Sequence, residues 1–146
     1  VGLLLAVFAY KKWYSEALFL GSNLVLTALL VLLLKNIYQR PRPSILHLVE
    51  EKGFSFPSGH SLASTLVLGS LIIIISQHVK NKTARYCLQG LLVLGIVTIV
   101  VSRVYVGVHY PSDVLGSMIL GLAVLQFEYP LYDRLRFQWR FTGKQK

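Results

Sequence analysis

Carboxylates are scarce in this chain: six Asp and Glu stand against fifteen Lys and Arg in 146 residues. With no carboxylate cluster to hold a hard divalent ion, a metal-dependent mechanism is not expected, and neither is a cofactor. Cys87 is the only cysteine, which excludes an intrachain disulfide and leaves it as a packing residue. Met118 is the only methionine, and the chain begins with Val1. There is no internal repeat and no low-complexity segment. Charged residues make up only 14% of the chain, and none falls between Ser61 and Val79.

The apolar excess that remains is gathered into blocks. Ala17–Leu34, Ser61–Val79 and Tyr86–Ser102 carry no charge, and Val114–Phe127 is a shorter block closed by Glu128. A membrane-spanning helix needs about 20 mostly apolar residues, with a range of roughly 17–25. Leu71-Ile72-Ile73-Ile74-Ile75 is apolar all round, whereas a helix of a soluble bundle would keep a polar face. The blocks predict an all-α, polytopic transmembrane bundle in a single domain, residues 1–146, with spans near 16–34, 61–79, 86–104 and 113–130. Val1–Tyr10 is too short to span and reads as the tail of a helix that begins before this chain. Pro130 is expected to hinder continuation of the last helix, leaving Leu131–Lys146 as a basic, aromatic tail at the membrane interface. Asn23 and Thr27, four apart, are expected to face other helices, and Ser117 and Gly121 to permit close packing.

Alternation of the spans sorts the basic residues onto two sides. Lys11, Lys12, Lys80, Lys82, Arg85, Arg134, Arg136, Arg140, Lys144 and Lys146 fall on one; Lys35, Arg40, Arg42, Lys52 and Arg103 fall on the other. The positive-inside rule makes the richer side cytoplasmic. The basic surplus is thus read as membrane orientation, with the bilayer as partner and no nucleic acid expected. Five cations on the outer face still call for a task of their own.

That outer face also receives Phe56-Pro57-Ser58-Gly59-His60-Ser61, a polar knot opening onto the apolar run. Pro57 suits a first helical position, Ser58 and Ser61 suit capping, and Gly59 lets backbone approach a ligand. A helix beginning here aims its free N–H groups and positive dipole end at an anion such as phosphate. Lys35, Arg42, Ser58, His60, Arg103, His109 and Asp113 all lie at helix ends or in short connections on this side. Three cations and a helix N-terminus suit a group with two or more negative charges. Two histidines supply the partners for a displacement at phosphorus, one attacking and one protonating the departing oxygen. Asp113, four residues beyond His109, can accept a proton from an imidazole nitrogen and set its tautomer, with Pro111 placing Asp113 in a first helical turn. His47 reads as solvated, His78 as remote from the site, Arg40 as outside the core set, and Tyr105 and Tyr110 as interface aromatics.

The spacing is Lys35, six residues, Arg42-Pro43; then Pro57-Ser58-Gly59-His60; then Ser102-Arg103, five residues, His109, three residues, Asp113. This resembles the three-part signature of the type 2 phosphatidic acid phosphatase superfamily, whose members include lipid phosphatases, soluble acid phosphatases and vanadium haloperoxidases. The resemblance implies His109 as the nucleophile forming a phosphohistidine, Asp113 as its partner and His60 as general acid. Lys35, Arg42 and Arg103 would hold the phosphate, helped by Ser58 and the Gly59 backbone. It also implies a cell-membrane enzyme with its site on the extracytoplasmic face, acting on a phosphorylated lipid: phosphatidylglycerophosphate, undecaprenyl diphosphate or phosphatidate. Selection among these headgroups is expected to lie in Ser44–Ser55 and in helices before this chain. A non-catalytic lipid-binding or transport protein on the same scaffold, and a vanadate-dependent haloperoxidase, are the competing readings.

Overall fold

The computed structural model describes residues 1–44 and 52–145, so His47, Glu50 and Glu51 of the loop expected to select headgroups lie outside the described residues. Among the described residues, all regular structure is helical: α1 (Gly2–Tyr10), α2 (Tyr14–Tyr38), α3 (Gly59–His78), α4 (Lys82–Tyr105) and α5 (Pro111–Phe141). The last four are each long and apolar enough to cross a membrane. Leu29, Leu32 and Leu33 of α2 and Leu91 and Leu94 of α4 point away from the bundle and are exposed, as lipid-facing side chains are.

α3 is the central helix, packed against α2, α4 and α5. Lipid is as apolar as leucine, so helices in a bilayer associate through close packing of small residues rather than by escaping solvent. α3 supplies such a stripe at four-residue steps: Ser61, Thr65 and Gly69 are all buried. α5 answers at the same step with Ser117, Gly121 and Leu125. The Ser58 N–H donates to Ser117 Oγ at 2.8 Å. A Cβ on Gly121 would meet Thr65 Cγ2 at 2.8 Å, and one on Gly69 would collide with Leu125. The order of these contacts makes α3 and α5 parallel, with α4 returning between them. Both N-termini therefore open at one end of the bundle.

Asn23 and Thr27 are buried as expected, and each hydroxyl or amide donates to its own helix, Asn23 Nδ2 to Phe19 O and Thr27 Oγ1 to Asn23 O. Three features differ from the sequence reading. Pro57 does not start a helix: it follows a cis peptide bond after Phe56, and α3 begins at Gly59 with Ser58 at the N-cap. α5 does not stop near 130 but runs through Pro130 to Phe141. A proline removes one backbone donor, a loss that tertiary contacts beyond it can offset. Here Tyr132 stacks on Phe19 at 4.4 Å and donates to Gln77 Oε1 at 2.8 Å, while Gln145 exchanges bonds with Ser15. Cys87, expected in packing, is exposed, because α4 covers little of itself against the other helices.

Candidate active site

Each helix end on this side of the bundle is terminated by a local device that leaves a candidate site residue beside it. α2 closes on Gln39 in the left-handed conformation, whose N–H returns to Lys35 O at 3.0 Å, so Lys35 occupies the last turn. Arg40-Pro41-Arg42-Pro43 then leaves the helix, since a residue before proline disfavours helical backbone. α4 carries Arg103 in its last turn, and Arg103 Nε donates to Ser102 Oγ at 3.3 Å. Gly107, at φ +77°, turns the chain after α4 and delivers His109 two residues later.

α5 begins with Pro111, and its cap is reciprocal. The N–H of Tyr110 donates to Asp113 Oδ2 at 3.2 Å, and the N–H of Asp113 donates to Tyr110 O at 3.0 Å. This holds Asp113 in the first turn, fully buried, with its carboxylate directed back toward the loop. At the start of α3 the first helical bond is Leu62 N–H to Ser58 O, so the N–H groups of residues 59–61 precede the intrahelical ladder. Ser58 is fully buried, its Oγ 2.9 Å from Ser61 Oγ. The start of α3 lies against α2, where a Cβ on Gly59 would touch Val31 at 3.8 Å, one turn before Lys35. His60 is exposed, and His109 is 3% exposed.

The structure draws His109 and Asp113 together with Ser55, which sequence reasoning had not singled out, and with Arg40, which it left outside the core set. Ser55, buried without exposed surface, donates its hydroxyl to Asp113 Oδ2 and lies 3.4 Å from His109 Nδ1. Arg40 pairs through NH1 with Asp113 Oδ1 and also donates to Ser112 Oγ at 3.0 Å. Its guanidinium sits 4.3 Å above the Tyr110 ring, so Tyr110 is a cation–π partner within the site rather than an interface aromatic alone. No local motif announced either role, because both depend on a chain segment folding back over the start of α5. A backbone bond from Ser55 N–H to Arg40 O, 2.8 Å long, marks that fold-back.

Arg42 donates three times to main-chain carbonyls: Nε to Gly53 O at 3.0 Å, NH1 to Val108 O at 2.8 Å and NH2 to Lys52 O at 3.2 Å. It thereby fastens the segment before α3 to the residue preceding His109. Lys35, Arg103 and His60 stand at the same end of the bundle, on the last turns of α2 and α4 and the first turn of α3. Cationic side chains and two helix N-termini thus share the end of the bundle that holds a buried imidazole and carboxylate, an arrangement that suits a multiply charged oxyanion. Among the described residues, no three His, Cys, Asp or Glu side chains gather as a metal site.

Comparison with known proteins finds the profile of the PAP2 superfamily matching residues 16–137. Phosphatidylglycerophosphatase B of Bacillus subtilis is 38% identical over 123 residues, covering 80% of this chain and 57% of the relative. An undecaprenyl-diphosphatase of the same organism is 30% identical over 141 residues, covering 92% of this chain and 68% of the relative. A crystal structure of a transmembrane PAP2-type phosphatidylglycerolphosphate phosphatase from B. subtilis superposes with a TM-score of 0.79 at 27% identity. It covers 90% of this chain and 68% of that one.

Proposed function

The chain belongs to the PAP2 superfamily, and on that premise we propose that it is an integral membrane phosphatase that hydrolyses a phosphate monoester or diphosphate of a membrane lipid. The observation that carries the reading is the buried His109–Ser55–Asp113 group set among cations where α3 and α5 both begin. In the mechanism we infer, Lys35, Arg42 and Arg103, with the Gly59 backbone and Ser58 at the head of α3, neutralise and orient the phosphoryl group. His109 Nε2 attacks phosphorus, and the bond to the leaving oxygen breaks as His60 protonates it. Water, deprotonated by His60, then attacks the phosphohistidine and releases phosphate. Three cations supply the charge neutralisation that a metal would otherwise provide, so the reaction needs no cofactor.

A lipid substrate fits the surroundings of the site. Beside the α4–α5 connection that carries His109 lies an apolar cleft of about 410 Å³, lined by Val100, Val104, Tyr105, Pro111, Val114 and Leu115. The named relatives are phosphatases of phosphatidylglycerophosphate and undecaprenyl diphosphate, and those two lipids, with phosphatidate, are the candidate substrates. The ten-to-five division of basic residues supports a site on the extracytoplasmic face. Phosphate release by the purified protein from each of the three lipids is the test. Turnover of at least one supports the reading, and no release from any of them, in protein that is folded, overturns it.

A further inference from the structure

His109 has two ring nitrogens, and only one tautomer leaves Nε2 bare for attack. What enforces that tautomer is a question of donors and acceptors around Nδ1. Ser55 Oγ lies 3.4 Å from Nδ1 and donates to Asp113 Oδ2. A hydroxyl has one hydrogen. The ionised carboxylate is an acceptor only, so the Ser55 hydrogen is committed to Asp113 and Oγ can only accept from the ring. A hydrogen bond between Nδ1 and Oγ therefore requires the proton on Nδ1.

The hydroxyl is itself held in place from two sides. Arg40 accepts from the Ser55 N–H with its main-chain carbonyl at 2.8 Å and pairs with Asp113 Oδ1 through its guanidinium. One residue thereby fixes both the hydroxyl and the carboxylate that orients it. Asp113 Oδ2 also receives the Tyr110 N–H, so both carboxylate oxygens are engaged by donors and the group has no freedom to turn away. Ser55 has no exposed surface, which keeps water from competing for the same bonds.

We propose that Ser55 is a positioning residue that selects the Nδ1–H tautomer of His109, and that Arg40 holds the Ser55–Asp113 pair in the orientation this requires. The proposal rests on His109 being the nucleophile. As Nε2 bonds to phosphorus, Nδ1 keeps its proton and donates to Ser55, whose own hydroxyl hydrogen still points to Asp113. The positive charge that develops on the ring is spread toward the carboxylate through two hydrogen bonds, and no proton changes hands along this chain.

The test reads the ring nitrogens directly. Protein labelled with ¹⁵N-histidine is reconstituted in bilayers, and solid-state NMR separates protonated from bare ring nitrogens, with His109→Asn identifying the His109 signals. Wild type is expected to show a protonated Nδ1 and a bare Nε2. Ser55→Ala is expected to shift the tautomer ratio by about tenfold, roughly what one hydrogen bond is worth, and Ser55→Thr to restore it. Arg40→Gln changes a partly exposed side chain and serves as the second variant. It should shift the ratio in the same direction and lower kcat while leaving KM for the lipid near wild type, with Arg40→Lys recovering most of the loss. A bare Nδ1 in wild type overturns the proposal, as does a ring that keeps its Nδ1 proton with unchanged kcat in both Ser55→Ala and Arg40→Gln. A wild type that hydrolyses no phosphorylated lipid would instead sink the functional reading, while the ring signals would still report on the tautomer.

Discussion

His78 Nε2 lies 2.9 Å from Oε1 of Glu16, a carboxylate with no exposed surface, at the end of the bundle opposite the candidate site. Ser15 Oγ donates to the same carboxylate at 2.9 Å, the Tyr132 hydroxyl reaches it at 3.4 Å and Arg140 approaches to 3.8 Å. Trp13 stacks on the His78 ring at 3.9 Å. The group ties the start of α2 to the ends of α3 and α5, and so explains how α5 stays ordered past Pro130.

Removing the shared acceptor should therefore loosen the bundle without touching the chemistry. Glu16→Ala takes the carboxylate acceptor from the buried Ser15 hydroxyl and the His78 ring, at about 1–3 kcal/mol for each polar group left unsatisfied. A lower melting temperature in detergent, with KM for a lipid phosphate unchanged below it, is the expected result. An unaltered melting temperature would show that the cluster holds nothing together.

The two histidines should fail differently. His109→Ala should abolish turnover of every substrate and leave no acid-trapped phosphohistidine. His60→Ala removes proton donation, worth roughly 10²–10⁴-fold, and should harm an aryl phosphate less than an alkyl lipid phosphate because the aryl oxide leaves readily. A covalent intermediate persisting in His109→Ala would move the nucleophile elsewhere.

Asp113→Asn should cost both rate and stability. Oδ1 accepts from Arg40, and Oδ2 accepts from Ser55 and Tyr110 N–H, so an amide NH₂ faces a donor whichever way it turns. One polar group is left unsatisfied, at about 1–3 kcal/mol. Thermal melts and single-turnover rates measured together check this; a variant with wild-type stability and slowed chemistry would mean that the site relaxes around the amide.

Orientation is open to labelling from outside the cell. Lys52 and Lys82 are both exposed and lie at opposite ends of the bundle. Cys87 is exposed too and must first be replaced, by Cys87→Ser. In that background Lys52→Cys should react with an impermeant thiol reagent in intact cells and Lys82→Cys only after permeabilisation. The reverse pattern would put the site on the cytoplasmic face.

Chelation should leave activity intact. If Lys35, Arg42 and Arg103 neutralise the phosphate as proposed, turnover in excess EDTA should match that of untreated protein. Activity lost to EDTA and restored by magnesium would count decisively against the mechanism.

The sequence alone was enough for the membrane class and for bringing the candidate site residues to one end of the bundle. Both follow from where charges are missing and where they return, which is a one-dimensional property. The place of Asp113 in the first turn of α5 was legible for the same reason, because Pro111 and Asp113 act within a single helical turn. Where α5 ends was not legible: Pro130 breaks a local rule, and contacts from Phe19, Gln77 and Ser15 across the bundle override it. Nor were the parts of Arg40 and Ser55. They lie 73 and 58 residues from Asp113 in the chain, and a hydroxyl or guanidinium has no defined partner until the fold brings one. Spacing along the chain determined which residues reach one end of the bundle; only tertiary structure decided which donor meets which acceptor, because hydrogen bonds are set by angstroms and not by register.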